Sequence, residues 1–321
     1  MAKKIKIDVE ETPFCSECKF YKKECAVRLV DDKPFDVNLL EYFPNEPSVL
    51  IEYEKYNKVA IKKVPFNFEI KDRFVPVVSG KYGYEEDTVL FPVSNLRLDQ
   101  KFNQDIHRRF PATNHVGLMM NARDGFLFGF VKDNWIENLA VKNFDFIFSP
   151  NFSFYYNQPS CSTVLNRFLT YKAIAEITSK GIPAVPCVNF LWEEDLKEYS
   201  KWLKKYSFKY VYYNLQLSKV DSVFDKGIEY IKLLNKHIDA EIILTGVFDT
   251  NRIKVLEKIR PFIYTNSYLN VLSTNRVVWS KKGEKKKDII DAMFFGDVLR
   301  ENILNYRKAL KGVLKNGKRS K

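Results

Sequence analysis

GIPAVPCVNFLWEEDLKEYSKWLKKYSFKYVYYNLQL, residues 181–217, holds a strand, a helix and a second strand in one stretch. Gly181 follows a helical run over 160–180 and can close it in the left-handed conformation that glycine enters without strain. Residues 182–190 and 210–217 are short apolar runs of strand length. The segment between them opens on Glu193, Glu194 and Asp195 and closes on Lys201, Lys204 and Lys205. That order suits the partial charges at the two ends of a helix. Its apolar stripe is Leu196, Tyr199 and Leu203.

The unit repeats on both sides. Residues 126–131, 144–148, 241–247 and 262–265 read as further strands. Pro159 and Ser160 open the helix before Gly181, Phe224, Ile228, Ile231 and Leu234 mark another, and Thr250 can cap one bearing Ile253, Leu256 and Ile259. Strand starts lie about 20–40 residues apart, the length of a strand plus a crossover helix, so a parallel sheet follows. Right-handed crossovers turn such repeats into a closed β/α barrel or an open doubly wound sheet. No glycine-rich fingerprint follows the first strand, which favours the barrel.

The expected fold is α/β, with a β/α-barrel-like core over 113–280. Residues 1–112, rich in Pro, Val, Phe and Tyr, form a β-leaning, cysteine-containing region, and 281–321 a basic helical tail. The 321 residues include 45% hydrophobic and 15% aromatic side chains, enough to bury a core and too many for wholesale disorder. No apolar run reaches the roughly 18 residues of a membrane span, and the charged start at Lys3, Lys4 and Lys6 lacks a secretory signal's apolar stretch. A cytoplasmic location is the expectation.

Net charge is +12, and from Lys281 onward thirteen basic residues face five acidic ones. Lys281, Lys282, Lys285, Lys286 and Lys287 form one cluster, and Lys311, Lys315, Lys318, Arg319 and Lys321 a second. Between them Val298, Ile303, Tyr306 and Leu310 recur at helical spacing, as in a docked helix. Basic clusters bind polyanions by releasing counterions, so nucleic acid is the leading partner, ahead of an anionic membrane surface. A solvated tail would carry the same charge.

Cys15, Cys18 and Cys25 fall within eleven positions. Two thiolates separated by two residues, with a third nearby, supply most of a tetrahedral zinc shell, and zinc is favoured over an iron–sulfur cluster. His107, His115, Glu17 and Glu24 are the candidates for the fourth ligand. Three packed thiols are the plainer reading. Cys161 and Cys187 read as packed thiols too.

In either architecture ligands bind beyond the carboxyl ends of the strands. Those exits are rich in amides: Asn151, Asn189, Asn214, Gln216 and Asn266. An amide both donates and accepts, so a ring of them can read a base or a sugar, although such residues also cap helices and turns. Candidate acids and bases are Asp133, Glu193, Glu194 and Asp249, with Asp133 and Asp249 preferred because helix-starting acids explain the other two. No phosphate-binding Gly-x-x-x-x-Gly-Lys loop, His-Glu-x-x-His pair or Gly-x-Ser-x-Gly elbow is present.

The stretches Phe128-Gly129-Phe130-Val131-Lys132-Asp133-Asn134-Trp135, Ser149-Pro150-Asn151-Phe152-Ser153-Phe154-Tyr155, Asn166-Arg167 and Gly181-Ile182-Pro183-Ala184-Val185-Pro186 carry a resemblance. Over about 126–192 the chain resembles an uncharacterised family of phage and plasmid proteins that share a domain of unknown function (DUF4417-like). Members carry an Asp where this chain has Asn151; if that Asp is a catalytic acid in the family, the amide here argues against chemistry at that position. The resemblance implies a mobile-element setting and no particular reaction. Two readings follow: a mobile-element protein that binds or processes nucleic acid, or a β/α-barrel enzyme acting on a nucleoside- or sugar-like small molecule.

Overall fold

A computed structural model describes residues 61–98, 105–131, 135–152, 160–190, 193–215, 221–280, 283–286 and 295–314. Eight short strands carry the core: β1 (Phe74–Pro76), β2 (Glu86–Pro92), β3 (Thr113–Met119), β4 (Phe146–Phe148), β5 (Ala184–Val185), β6 (Tyr210–Asn214), β7 (Glu241–Thr245) and β8 (Ile263–Asn266). Their ladders are all parallel and form two four-stranded sheets, β2-β3-β4-β5 and β1-β8-β7-β6. Single parallel bridges join the sheets at both seams, Val77 to Leu90 and Cys187 to Tyr212. At the first seam Val78 N–H donates to Leu90 O at 2.8 Å, and at the second Val188 N–H donates to Tyr212 O at 2.8 Å. The two sheets therefore touch at both of these edges.

Among the described residues the crossovers are helical from β2 onward. After β2 comes α1 (Ser94–Leu98), after β3 come α2 (Asp124–Phe130) and α3 (Trp135–Ala140), and after β4 comes α4 (Ser160–Ser179). Then follow α5 (Glu193–Tyr206), α6 (Asp221–His237), α7 (Thr250–Leu256) and α8 (Tyr268–Thr274). Gly181 does take φ +76° after α4, and Ser207 ends α5 at φ 57°. Each lets the chain reverse into the next strand.

One end of the strand set is filled by aromatic rings. Phe66 packs on Phe146 and Tyr210, centroids 5.6 and 4.9 Å away, and Phe68 stacks on His115 at 3.7 Å. Phe146 and Tyr210 belong to strands that are not neighbours, so these rings lie between the strands rather than along one sheet. Tyr210 Oη accepts from the Ile70 N–H at 2.9 Å, which fixes the 61–73 segment across this end. Gly117 leaves room there for Phe146, whose ring would lie 2.3 Å from a Cβ at that position.

Beyond β8 an antiparallel hairpin, β9 (Val277–Ser280) and β10 (Gly283–Lys286), leads to the last helix, α9 (Phe295–Lys311). This helix is docked as its spacing predicts, burying Val298, Leu299, Ile303, Tyr306 and Leu310. Asn302 accepts from the Trp279 N–H and donates to Val277 O, tying α9 to β9. Arg307 reaches Glu86 at 2.7 Å and Asp72 at 3.0 Å, pinning it to the start of β2.

Three expectations are corrected. Residues 126–131 are not a strand; α2 ends at Phe130, and the strand in this region is β3, thirteen residues earlier in its start. The division at 112 falls between β2 and β3, which are hydrogen-bonded neighbours, so β1 and β2 belong to the same sheets as the later strands. The division at 280 falls inside the β9–β10 hairpin, and α9 packs on the core rather than forming a separable tail.

Candidate ligand-binding site

At the carboxyl ends of the strands, opposite the aromatic end, four asparagines join in one hydrogen-bonded relay. Asn189 Nδ2 donates to Phe152 O at 3.2 Å and to Asn151 Oδ1 at 3.4 Å. Asn151 Nδ2 donates to Asn121 Oδ1 at 3.3 Å, and Asn214 Nδ2 donates to the same oxygen at 3.4 Å. Thr245 Oγ1 closes the relay by donating to Asn214 Oδ1 at 3.0 Å. Asn121 follows β3 and Asn214 ends β6, strands from different sheets, so the relay spans from one sheet to the other.

The direction of every amide follows from one backbone group. A carbonyl oxygen only accepts, so Phe152 O forces the Asn189 nitrogen toward it, which sets Asn151, then Asn121, then Asn214 in turn. Thr265 extends the layer. It is the register partner of Thr245, so its side chain lies on the same face, and its fully buried hydroxyl has no hydrogen-bond partner.

Surrounding groups hold the loops that carry these amides. Arg167, from α4, grips Asp195 of α5 with both terminal nitrogens and donates to Asn189 O at 2.7 Å. Ser149 Oγ accepts from the Cys187 N–H at 2.8 Å, and Tyr212 Oη donates to Ser149 O at 2.6 Å. Cys187 Sγ lies 3.1 Å from Asn151 Oδ1 as a donor. Burial pushes this thiol up to about 12 and the Tyr212 hydroxyl well above its usual range, so both stay protonated at neutral pH. The described layer is thus built of neutral hydrogen-bonding groups.

Asn151, Asn189 and Asn214 stand where the sequence predicts them. Asn266 does not join them: its Nδ2 donates to Val247 O and its Oδ1 accepts from the Tyr268 N–H, so it caps a turn on the opposite face to Thr265. Asp249 is the N-cap of α7, exposed, with its carboxylate accepting from the Asn251 N–H at 2.8 Å. Both are corrections, and the cause is the same. A strand exit is also a helix start, and polar residues there satisfy the first free N–H groups. Glu193 is likewise engaged, held by Lys236 and His237. Asp133, Gln216, Lys281, Lys282, Lys287 and the three cysteines Cys15, Cys18 and Cys25 lie outside the described residues. Lys285 and Lys286 are on β10, paired in register with Val278 and Val277.

Asn121 is the member that sequence reasoning missed. Among the described residues no three His, Cys, Asp or Glu side chains group as a metal site would. His107 pairs with Asp145 at 3.2 Å, and His115 stacks on Phe68. No described helix is long and apolar enough to cross a membrane. A surface groove lined by Ser200, Lys204, Phe208 and Lys209 lies at the amino-terminal ends of β6 and β7, away from the amides. Compared with known proteins, the chain matches no family model and no curated sequence.

Proposed function

We propose that the two sheets act as one β/α barrel whose mouth binds a small polar molecule of nucleoside or sugar type. The observation that carries this is the relay of Asn121, Asn151, Asn189 and Asn214 across the carboxyl ends of non-neighbouring strands. Such ends are where parallel α/β folds place their ligands, and amides recognise the mixed donors and acceptors of bases and sugars. A thermal-shift screen of nucleosides and monosaccharides tests it, because a ligand that binds only the folded chain raises the melting temperature by mass action. The stabilising compound is expected to lose its effect in Asn189→Ala. A screen in which nothing stabilises the protein rejects the reading.

A second reading, a mobile-element protein that binds or processes nucleic acid, rests on the basic cluster and on the family resemblance. Its structural support is the β9–β10 hairpin, which lies outside both main sheets and bears Lys285 and Lys286. Filter binding at two salt concentrations tests it. Replacing Lys285, Lys286 and Lys287 by Gln is expected to weaken binding and flatten its salt dependence. Unchanged binding rejects the hairpin as a contact.

A further inference from the structure

The direction of the relay decides what the mouth offers. Asn121 Oδ1 accepts two amides, Asn151 Oδ1 accepts Asn189 and the Cys187 thiol, and Asn214 Oδ1 accepts Thr245. Three of the four side-chain carbonyls are consumed inside the layer. The Asn121 nitrogen is not: among the described residues it donates to nothing, and the side chain is half-buried at the mouth. Its oxygen accepts two amides while its two N–H groups are left for a partner outside the layer. Asn189 Oδ1 is the complementary case, an amide acceptor with no donor among the described residues.

We infer that Asn121 recognises an uncharged carbonyl oxygen, with the lactam edge of a nucleobase as the ligand class. This rests on the mouth being a ligand site, and it names the edge that the site reads. A lactam presents a carbonyl acceptor beside an N–H donor, the complement of Asn121 Nδ2 and Asn189 Oδ1. The groups of the relay are amides, a hydroxyl and a thiol, so they match a neutral edge better than a phosphate. Thr265 adds a second unmet group: a fully buried hydroxyl on the same face as Thr245 with no hydrogen-bond partner among the described residues. Leaving such a group unmet is costly unless a ligand or water meets it.

The test is calorimetric titration of the full chain with uridine, with ribose and glucose as controls. Asn121→Asp keeps an oxygen for Asn151 and Asn214 to donate to while replacing the two N–H groups by an acceptor. It is expected to weaken uridine binding at least tenfold without loss of the folded spectrum. Thr265→Val, which removes the orphan hydroxyl at constant shape, is expected to raise the melting temperature of the free protein and to weaken uridine binding. Uridine affinity unchanged in both variants overturns the assignment of Asn121. Binding of a sugar but not uridine overturns the lactam while leaving the mouth as a site, and binding of neither class overturns both.

Discussion

Cys187 shows how burial decides chemistry for a single side chain. Its thiol is enclosed beneath Asn151, with burial raising its pKa to about 12, and alkylating reagents attack the thiolate. At pH 8 the native protein is expected to leave Cys187 unlabelled, and peptide mapping should find it modified only after denaturation. Labelling in the native state would contradict the enclosure. Glu193 shows the opposite case on the surface. Lys236 and then His237 hold its carboxyl down to about 2, from an ordinary value of 4.5. A depressed pKa in the fold means that the stabilisation is complete above the ordinary value and is lost as pH falls through the folded one. The stability difference between wild type and Glu193→Gln is therefore expected to be largest above about pH 5 and to vanish near pH 2, as read by urea unfolding across that range.

At the scale of elements, the strands that sequence revealed are those flanked by strong helices. β4 through β8 were legible because α4 is bounded by Ser160 and Gly181 and α5 to α7 carry clear apolar stripes. β3 was not, since Thr113, Asn114 and His115 give it a polar start, while the apolar run after it, Phe126 to Val131, imitates a buried strand and folds as α2. Asn121 was lost with it, because an exit cannot be recognised when its strand is not. The pairing of β1 and β2 with β8 and β3 was equally hidden, as parallel partners leave no turn between them to read. Gly117 in β3 gives a test of the aromatic end. Gly117→Ala would drive a Cβ to 2.3 Å from the Phe146 ring. The ring is wedged among Phe66, Phe68 and Gly117, so overpacking is expected to cost about 1–3 kcal/mol, measured by denaturant melts. An unchanged midpoint would mean that the ring shifts freely.

For the molecule as a whole, the last helix is core. Tyr306 packs on Phe74 at 4.8 Å and on Phe248 at 4.7 Å, and Arg307 meets the buried carboxylate of Glu86. Truncation after Ser280 is expected to abolish cooperative unfolding, because it strips these partners and leaves Glu86 buried without its cation. Cooperative unfolding of the chain ending at Ser280 would refute the docking. The amino-terminal cysteines make a separate prediction from spacing alone. Purified protein is expected to carry about one zinc, lost in Cys18→Ser and read by elemental analysis. Neither zinc nor iron in a metal-replete preparation would leave three packed thiols.

The pairing of β1 with β8 has a consequence for how the chain is made. Arg73, just before β1, bonds Phe262 O and Glu257, the first of these partners 189 residues away in sequence. At a synthesis rate of about 5–20 residues per second, β1 leaves the ribosome roughly 10–40 seconds before the strand that covers its edge exists. For that interval Phe74 and Val75, both buried in the finished protein, sit on a strand whose β8 side is unpaired in the nascent chain. Until β8 is made, that side of β1 stays an open apolar edge, able to pair with any other strand it meets.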